Sequence, residues 1–343
     1  MFKFYTLYLA VVLSLSLHAD NPEELGRVNW LRDLSEAQSL SKSQAKPIFI
    51  LFQEIPGCLT CRNYGNIVLS HPLIVETIET YFVPLAIYNN RRGKDESVLK
   101  YYSEPSWNNP VVRIVNSDKS DILPRLNGNY TPSGLVKHMI ACLKKINQDV
   151  PSYLLLLAKE LTANERGLEK TTLSMFCFWT GEKELGKIDG VFKTEAGFMN
   201  HDEVVNVYYD PEIVELESIL KEGQKTNCAD GAYYQDKQEK DEASKILAAN
   251  KLRPISRFKP DQEPKYYLTQ TVYKDVPMSP AQAVKINALI GYSKSPDFLL
   301  SPRQLQMLEY LKKFGKATWA SSIDDKQWQS KFYRAWEAVE KKV

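Results

Sequence analysis

The chain has 343 residues, 25% charged and 43% hydrophobic, a composition that argues against disorder and fits about two domains. Its 44 basic and 42 acidic side chains leave a formal net charge of +2, which gives no electrostatic footprint for nucleic acid or another polyanion. Five cysteines are too few for a disulfide scaffold, and four scattered histidines without an HExxH or Cys/His cluster argue against structural zinc; no metal or other cofactor is expected.

Residues 1–19, MFKFYTLYLAVVLSLSLHA, open with Lys3 and continue into an apolar run ending at the small residue Ala19. The run is about 14 residues, short of the roughly 20 that span a bilayer, so a cleaved signal peptide is expected in preference to a membrane anchor. Cleavage near Ala19 would deliver a periplasmic or secreted protein into an oxidising compartment, where each cysteine needs a reason.

Over 20–150 the pattern predicts a buried strand at IFILFQ (48–53), a turn EIPG, and a helix opened by Cys58-Leu59-Thr60-Cys61. Strands follow at YFVPLAIYNN (81–90), after a loop at VVRIVN (111–116) behind Asn109-Pro110, and at ILPRL (122–126); a helix runs from Pro132 to Asn147. A thiol at a helix start faces free N–H groups, so Cys58 is the expected attacking thiol and Cys61, one turn on, the resolving one. A static disulfide or a metal half-site are the alternatives. Cys142, in KHMIACLKKI, reads as core.

KPIFILFQEIPGCLTC with the later Asn109-Pro110 resembles the thioredoxin fold, and IPGCLTC more particularly resembles a thioredoxin-like group with a VPG-(Sec/Cys)-x-x-Thr signature. The resemblance implies a cis Pro110 facing the dithiol and binding substrate, Cys58 in the selenocysteine position and Cys61 in the threonine position. No Trp precedes Cys58, and Leu-Thr stands between the cysteines where thioredoxins carry Gly-Pro.

Over 151–276 strands are expected at TTLSMF (171–176), FKTEAGF (192–198) and EVVNVYYDP (203–211), with helices at 180–190 and 213–224 and a strand edge and helix from 232 to 251, an α+β pattern. SMFCFWTGEKELGKIDG with HDEVVNVYYDP resembles the peptide methionine sulfoxide reductase A family. That resemblance implies Cys177 as the nucleophile, Phe178 and Trp179 as the aromatic pair that binds the substrate methyl, and Glu203 as the acid. Met175-Phe176 replace the family's glycines, and Cys228 in KTNCADG stands where a family tyrosine would be, as does no residue for a second tyrosine in the short 199–201 loop. The family's later H-Q-x-Y segment survives at most as KYYL (265–268). In this reading Cys228 is the resolving thiol. Without the resemblance, Phe178 and Trp179 read equally as core, Glu203 as a surface carboxylate and Cys228 as an incidental exposed thiol.

Residues 277–343 hold two Ser-Pro helix starts and an amphipathic helix over 326–342, a helical extension expected to pack on the domains or to dock an electron donor. The expected fold class is therefore α/β plus α+β: signal peptide (1–19), thioredoxin-like domain (20–150), methionine sulfoxide reductase A-like domain (151–276) and helical C-terminal extension (277–343). The expected function is an exported reductase whose dithiol feeds a methionine-S-sulfoxide-reducing site. Its partners are an oxidised protein or peptide substrate and an upstream thiol reductant, a membrane electron conduit being one form of it. A general periplasmic thiol–disulfide oxidoreductase with a non-catalytic second domain, or a redox-sensing pseudoenzyme, are the competing readings.

Overall fold

A computed structural model describes residues 21–315, 319 and 327–341; the signal-peptide expectation falls outside them. The first half runs α1 (Leu34–Gln44), β1 (Ile48–Gln53), α2 (Leu59–Asn63), α3 (Pro72–Tyr81), β2 (Val83–Tyr88), α4 (Lys94–Tyr101), β3 (Val111–Val115), β4 (Leu126–Asn127) and α5 (Pro132–Lys145). Its sheet has the order β2-β1-β3-β4, with β1 parallel to β2 and antiparallel to β3. The run IFILFQ is apolar at consecutive positions because β1 is covered on both faces. Ile48, Ile50 and Phe52 pack with Ala37 of α1 and Leu99 of α4. Phe49 and Leu51 face the other way, toward Leu73 of α3 and Leu135 and Met139 of α5. This is a three-layer α/β unit with thioredoxin-like topology.

Two local expectations change. The segment between β2 and Pro110 is not all loop: it holds α4, whose buried Val98 and Leu99 are too few to print a helical period. The strand expected over ILPRL is confined to Leu126–Asn127, because Pro124 has no N–H to give to a ladder.

The second half runs α6 (Ser152–Arg166), β5 (Glu169–Met175), α7 (Phe178–Gly186), β6 (Val191–Met199), β7 (Asp202–Tyr209), α8 (Leu216–Lys225), β8 (Ala229–Tyr234), α9 (Lys237–Ala243), β9 (Leu252–Pro254) and β10 (Lys259–Pro260). The six strands are ordered β10-β6-β7-β5-β8-β9, and only β8 and β9 are parallel. Asn200 and His201 close the β6–β7 hairpin, both with positive φ (50° and 73°), the backbone a two-residue hairpin turn demands. That turn sets the register in which Glu203 lies opposite Phe198 on one side and Met175 on the other. Helices α7 and α8 cover one face through Leu185, Ile219 and Leu220 against Leu173, Val205 and Val207.

The chain ends in α10 (Tyr266–Thr269), α11 (Pro280–Gly291), α12 (Pro302–Phe314) and α13 (Trp328–Glu340). Ser279 and Ser301 each form a capping box, with Gln282 and Gln304. The two boxes interlock: Gln282 Nε2 donates to Gln304 Oε1 at 2.8 Å, and Gln304 Nε2 returns a bond to Gln282 Oε1 at 2.9 Å. Glu160 of α6 accepts from Ser279 Oγ and from the Ala281 N–H. On the first unit, Arg303 donates its N–H to Glu76 and pairs with Glu79 of α3, and Tyr333 of α13 donates to the Ser70 carbonyl. One apolar cluster runs from Leu51 through Leu157 and Ile286 to Phe332, so the extension belongs to the shared core.

Phe332 is fully buried in that cluster. Phe332→Ala should cost ~3–5 kcal/mol in denaturant unfolding and expose the C-terminal helix to limited proteolysis. An unchanged midpoint would mean that α13 adds nothing to the shared core.

Candidate functional site

Two sulfur centres emerge, one in each sheet unit. In the first, Cys58 is the N-cap of α2, leading directly out of β1 through the turn. A Cβ on Gly57 would lie 2.4 Å from the Glu54 carbonyl oxygen and 2.6 Å from Cys61 Cβ, so this turn admits only glycine beside the dithiol. The two sulfurs lie 3.6 Å apart as free thiols. Cys58 is exposed, whereas Cys61 is fully buried and donates to Asn109 Oδ1 at 2.6 Å. The Asn109–Pro110 peptide is cis, and Pro110 is buried in the loop entering β3.

The electrostatics separate the two thiols. The backbone N–H of Cys61 turned onto Cys58 holds the Cys58 thiol below its ordinary value, with further help from the Cys61 thiol and from Thr60. Burial, and the neighbouring Cys58 sulfur, push Cys61 up to about 12. The exposed sulfur is thus the one available as thiolate, and the buried one stays protonated until its partner is consumed. Leu59, which follows Cys58, is 65% exposed and adds apolar surface beside it.

In the second centre Cys177 is the N-cap of α7, half-buried at the junction from β5. Glu203 Oε2 accepts the Phe178 N–H at 2.8 Å. A carboxylate from β7 therefore sits at the first free donor of the helix that Cys177 caps. The hairpin register delivers it there, so sequence positions 177 and 203 meet at one helix start.

The aromatic residues stack in a row. The Phe178 ring, 5% exposed, lies 5.3 Å from Phe198 and stacks at 5.7 Å on Trp179. Trp179 in turn stacks on Tyr266 with centroids 4.0 Å apart and rings 13° from parallel, and its Nε1–H donates to Asp261 Oδ2 at 3.1 Å. Sequence pattern alone did not pick out Tyr266 or Asp261 as partners of Trp179. Both lie more than 80 residues downstream, and no periodicity connects them to α7. The link is Glu182, one turn beyond Phe178: fully buried, it accepts from Lys265 N at 2.8 Å and Lys265 Nζ at 2.6 Å, and so brings the neighbouring Tyr266 down on Trp179.

Cys228 lies close in the backbone but points elsewhere. Its carbonyl accepts the Phe176 N–H at 3.0 Å, one residue before Cys177. Its side chain is 2% exposed, donates to the Gly223 carbonyl at 3.6 Å, lies 3.1 Å from Thr226 Oγ1, and packs in the core under α8. It is therefore not an exposed loop thiol, and burial raises it above its ordinary value. Cys142 is fully buried on α5, where burial pushes it up to about 12.

No family model matches the chain. A stretch of it is similar to peptide methionine sulfoxide reductase MsrA of Methanococcus maripaludis, 34% identical over 70 residues, covering 16% of this chain and 45% of that protein. It is similar also to MsrA 1 of Caulobacter vibrioides, 35% identical over 72 residues (16% of this chain, 33% of that one), and to MsrA 1 of Nostoc sp., 31% identical over 78 residues (18% and 48%). The chain spans less than half the length of each of these relatives. Among solved structures it is similar to one described as DsbH oxidoreductase, 16% identical, with a TM-score of 0.31, covering 38% of this chain and 95% of that one. The sequence similarities give the chain a methionine sulfoxide reductase-like segment.

The lowered Cys58 and raised Cys61 predict an order of modification. At about pH 7, where an ordinary thiol is mostly protonated, iodoacetamide should alkylate Cys58 first and leave Cys61 and Cys142 unmodified, as read by peptide mass mapping. Equal labelling of Cys58 and Cys61 would contradict the asymmetry.

Proposed function

We propose that the protein is an exported reductase in which the Cys58–Cys61 dithiol supplies electrons to a methionine-S-sulfoxide-reducing site at Cys177. The observation that supports this reading is the 2.8 Å bond from the Phe178 N–H to Glu203, a carboxylate at the start of the helix that Cys177 caps. Export rests on the character of residues 1–19.

The Cys177 thiolate attacks the sulfoxide sulfur while Glu203 delivers a proton to the oxygen, which is a poor leaving group until protonated. Glu203 Oε2 is occupied by the Phe178 N–H, leaving Oε1 to carry that proton. Collapse of the adduct releases methionine and leaves Cys177 as a sulfenic acid. A second thiol condenses with it, expelling water and forming a disulfide. Cys228 is the candidate for that step; its backbone is already paired beside Phe176, and its side chain must turn out of the core to react. The Cys58 thiolate then attacks the disulfide and Cys61 closes on Cys58, so two electrons pass to the Cys177 centre and the Cys58–Cys61 pair is oxidised. An upstream thiol reductant restores it. Held on one chain, the dithiol acts at an effective concentration in roughly the mM range.

The stack of Tyr266 on Trp179 favours a second reading. One indole face is covered by the protein's own tyrosine, which narrows any pocket for a substrate methyl group. In that reading Cys58 is a general thiol–disulfide oxidoreductase centre, and the second unit only holds the protein substrate.

The readings separate in one assay. With dithiothreitol as reductant, the wild type should turn over a methionine-S-sulfoxide peptide, Cys177→Ser should not, and Glu203→Gln should slow the reaction by about 10²–10⁴-fold. No turnover, together with insulin disulfide reduction that depends on Cys58 and is indifferent to Cys177, would establish the second reading instead.

A further inference from the structure

A cavity of about 520 Å³ that contains neither sulfur centre is walled by Leu156 of α6, Leu289 of α11, and Phe298 and Leu299 of the following turn, with Lys285 and Lys294 among its lining residues. Its size lies within the range of small-molecule sites. Carbon dominates the walls, three lysines line it (the third is Lys187), and no carboxylate does. Lys187 is balanced by Glu184 at 2.8 Å and Glu222 at 2.9 Å. Lys285 is not: its ammonium is spent on two carbonyls, Gly186 O at 2.8 Å and Ile188 O at 2.5 Å. An ammonium has three donors, so one is left over. The nearby Asp189 is paired with Lys159. Lys294 is exposed and makes no ion pair with any described residue. Phe298 stands 57% exposed at the edge, an apolar ring without a cover.

We propose that this cavity binds an amphipathic carboxylate, a single anionic head on a flexible hydrocarbon chain, with the head between Lys285 and Lys294 and the chain along Leu156, Leu289 and Phe298.

The argument is one of complementarity. A desolvated cation without a counter-ion is costly, and an anion brought to it in an apolar surround interacts far more strongly than in water. Burial already lowers Lys285 to about 8, and a bound carboxylate favours its charged form. The apolar walls take the hydrocarbon, and the exposed Phe298 ring loses its contact with water. A neutral alcohol would gain only the second of these contributions, and an alkyl cation would be repelled. The proposal is independent of the sulfur chemistry.

The test uses the full-length protein and dansylaminoundecanoic acid as fluorescent probe. A saturable, blue-shifted signal is expected, displaced by decanoate and not by decanol or decyltrimethylammonium. Lys294→Glu, at an exposed position, should weaken the probe by about five- to tenfold. Leu289→Trp should abolish binding by filling the cavity, with an unchanged thermal transition showing that the variant is folded. Phosphatidylglycerol vesicles should fail to displace the probe. Absence of a saturable signal, displacement by decanol equal to that by decanoate, unchanged affinity in Lys294→Glu, or displacement by vesicles would each overturn the proposal.

Discussion

The buried pair of Glu182 and Lys265 holds the second half of the molecule together. Glu182 has no exposed surface and receives both the main-chain and side-chain nitrogens of Lys265, while Lys265 Nζ also donates to the Thr194 carbonyl at 2.6 Å. Such a pair gives little net stability compared with apolar residues, yet losing one member strands a buried charge at a cost of ~3–5 kcal/mol. Its value is therefore positional. It fastens α10 to α7, and the Leu268 N–H, donating to Asn287 Oδ1 at 3.0 Å, passes that hold to α11. Trp179 acquires its Tyr266 neighbour from this arrangement.

The two sulfur centres share a design and differ in what surrounds them. Each places a cysteine at the N-cap of a helix that leaves a buried strand, Cys58 after β1 and Cys177 after β5. At Cys58 the partner is a second thiol and a ring of backbone donors. Next to Cys177 it is a carboxylate from the neighbouring strand, on the N–H of the following residue, Phe178. Dithiol exchange needs only another sulfur, whereas reduction of an S–O bond needs a proton delivered to oxygen. The difference in neighbours follows the difference in proposed chemistry.

What was legible in the sequence was legible for a local reason. IFILFQ announced a strand buried on both faces, Ser-Pro twice announced a helix start, and Cys-x-x-Cys after a strand announced a dithiol. Glu203 was reached through the family resemblance, and the Asn200-His201 turn supplies the physical cause of its position, since that turn fixes the register of β7. The misses share another cause. Tyr266, Asp261 and Lys265 act across more than 80 residues through side-chain contacts that leave no period behind. For Cys228 the polar neighbours Lys225, Thr226, Asn227 and Asp230 kept an exposed loop thiol open as the alternative to a resolving one; the strand that begins at Ala229 turns it inward under α8. Polar composition reports on a segment, while burial is decided residue by residue where a strand starts.

Helix α7 ties these features to one another. Its first N–H, that of Phe178, meets Glu203, and the carbonyls at and beyond its C-terminus, Gly186 and Ile188, meet Lys285. A carboxylate at the positive end and an ammonium at the negative end both oppose the helix dipole favourably and satisfy groups that have no partner within the helix. Nine residues long, α7 is too short to be stable alone and takes its position from these end contacts and from packing against α11. Cys177 caps one end, and the lysine-lined cavity adjoins the other. The same charges thus hold the helix at both ends, a carboxylate at its first N–H and an ammonium at its last carbonyls, where the apolar hollow begins.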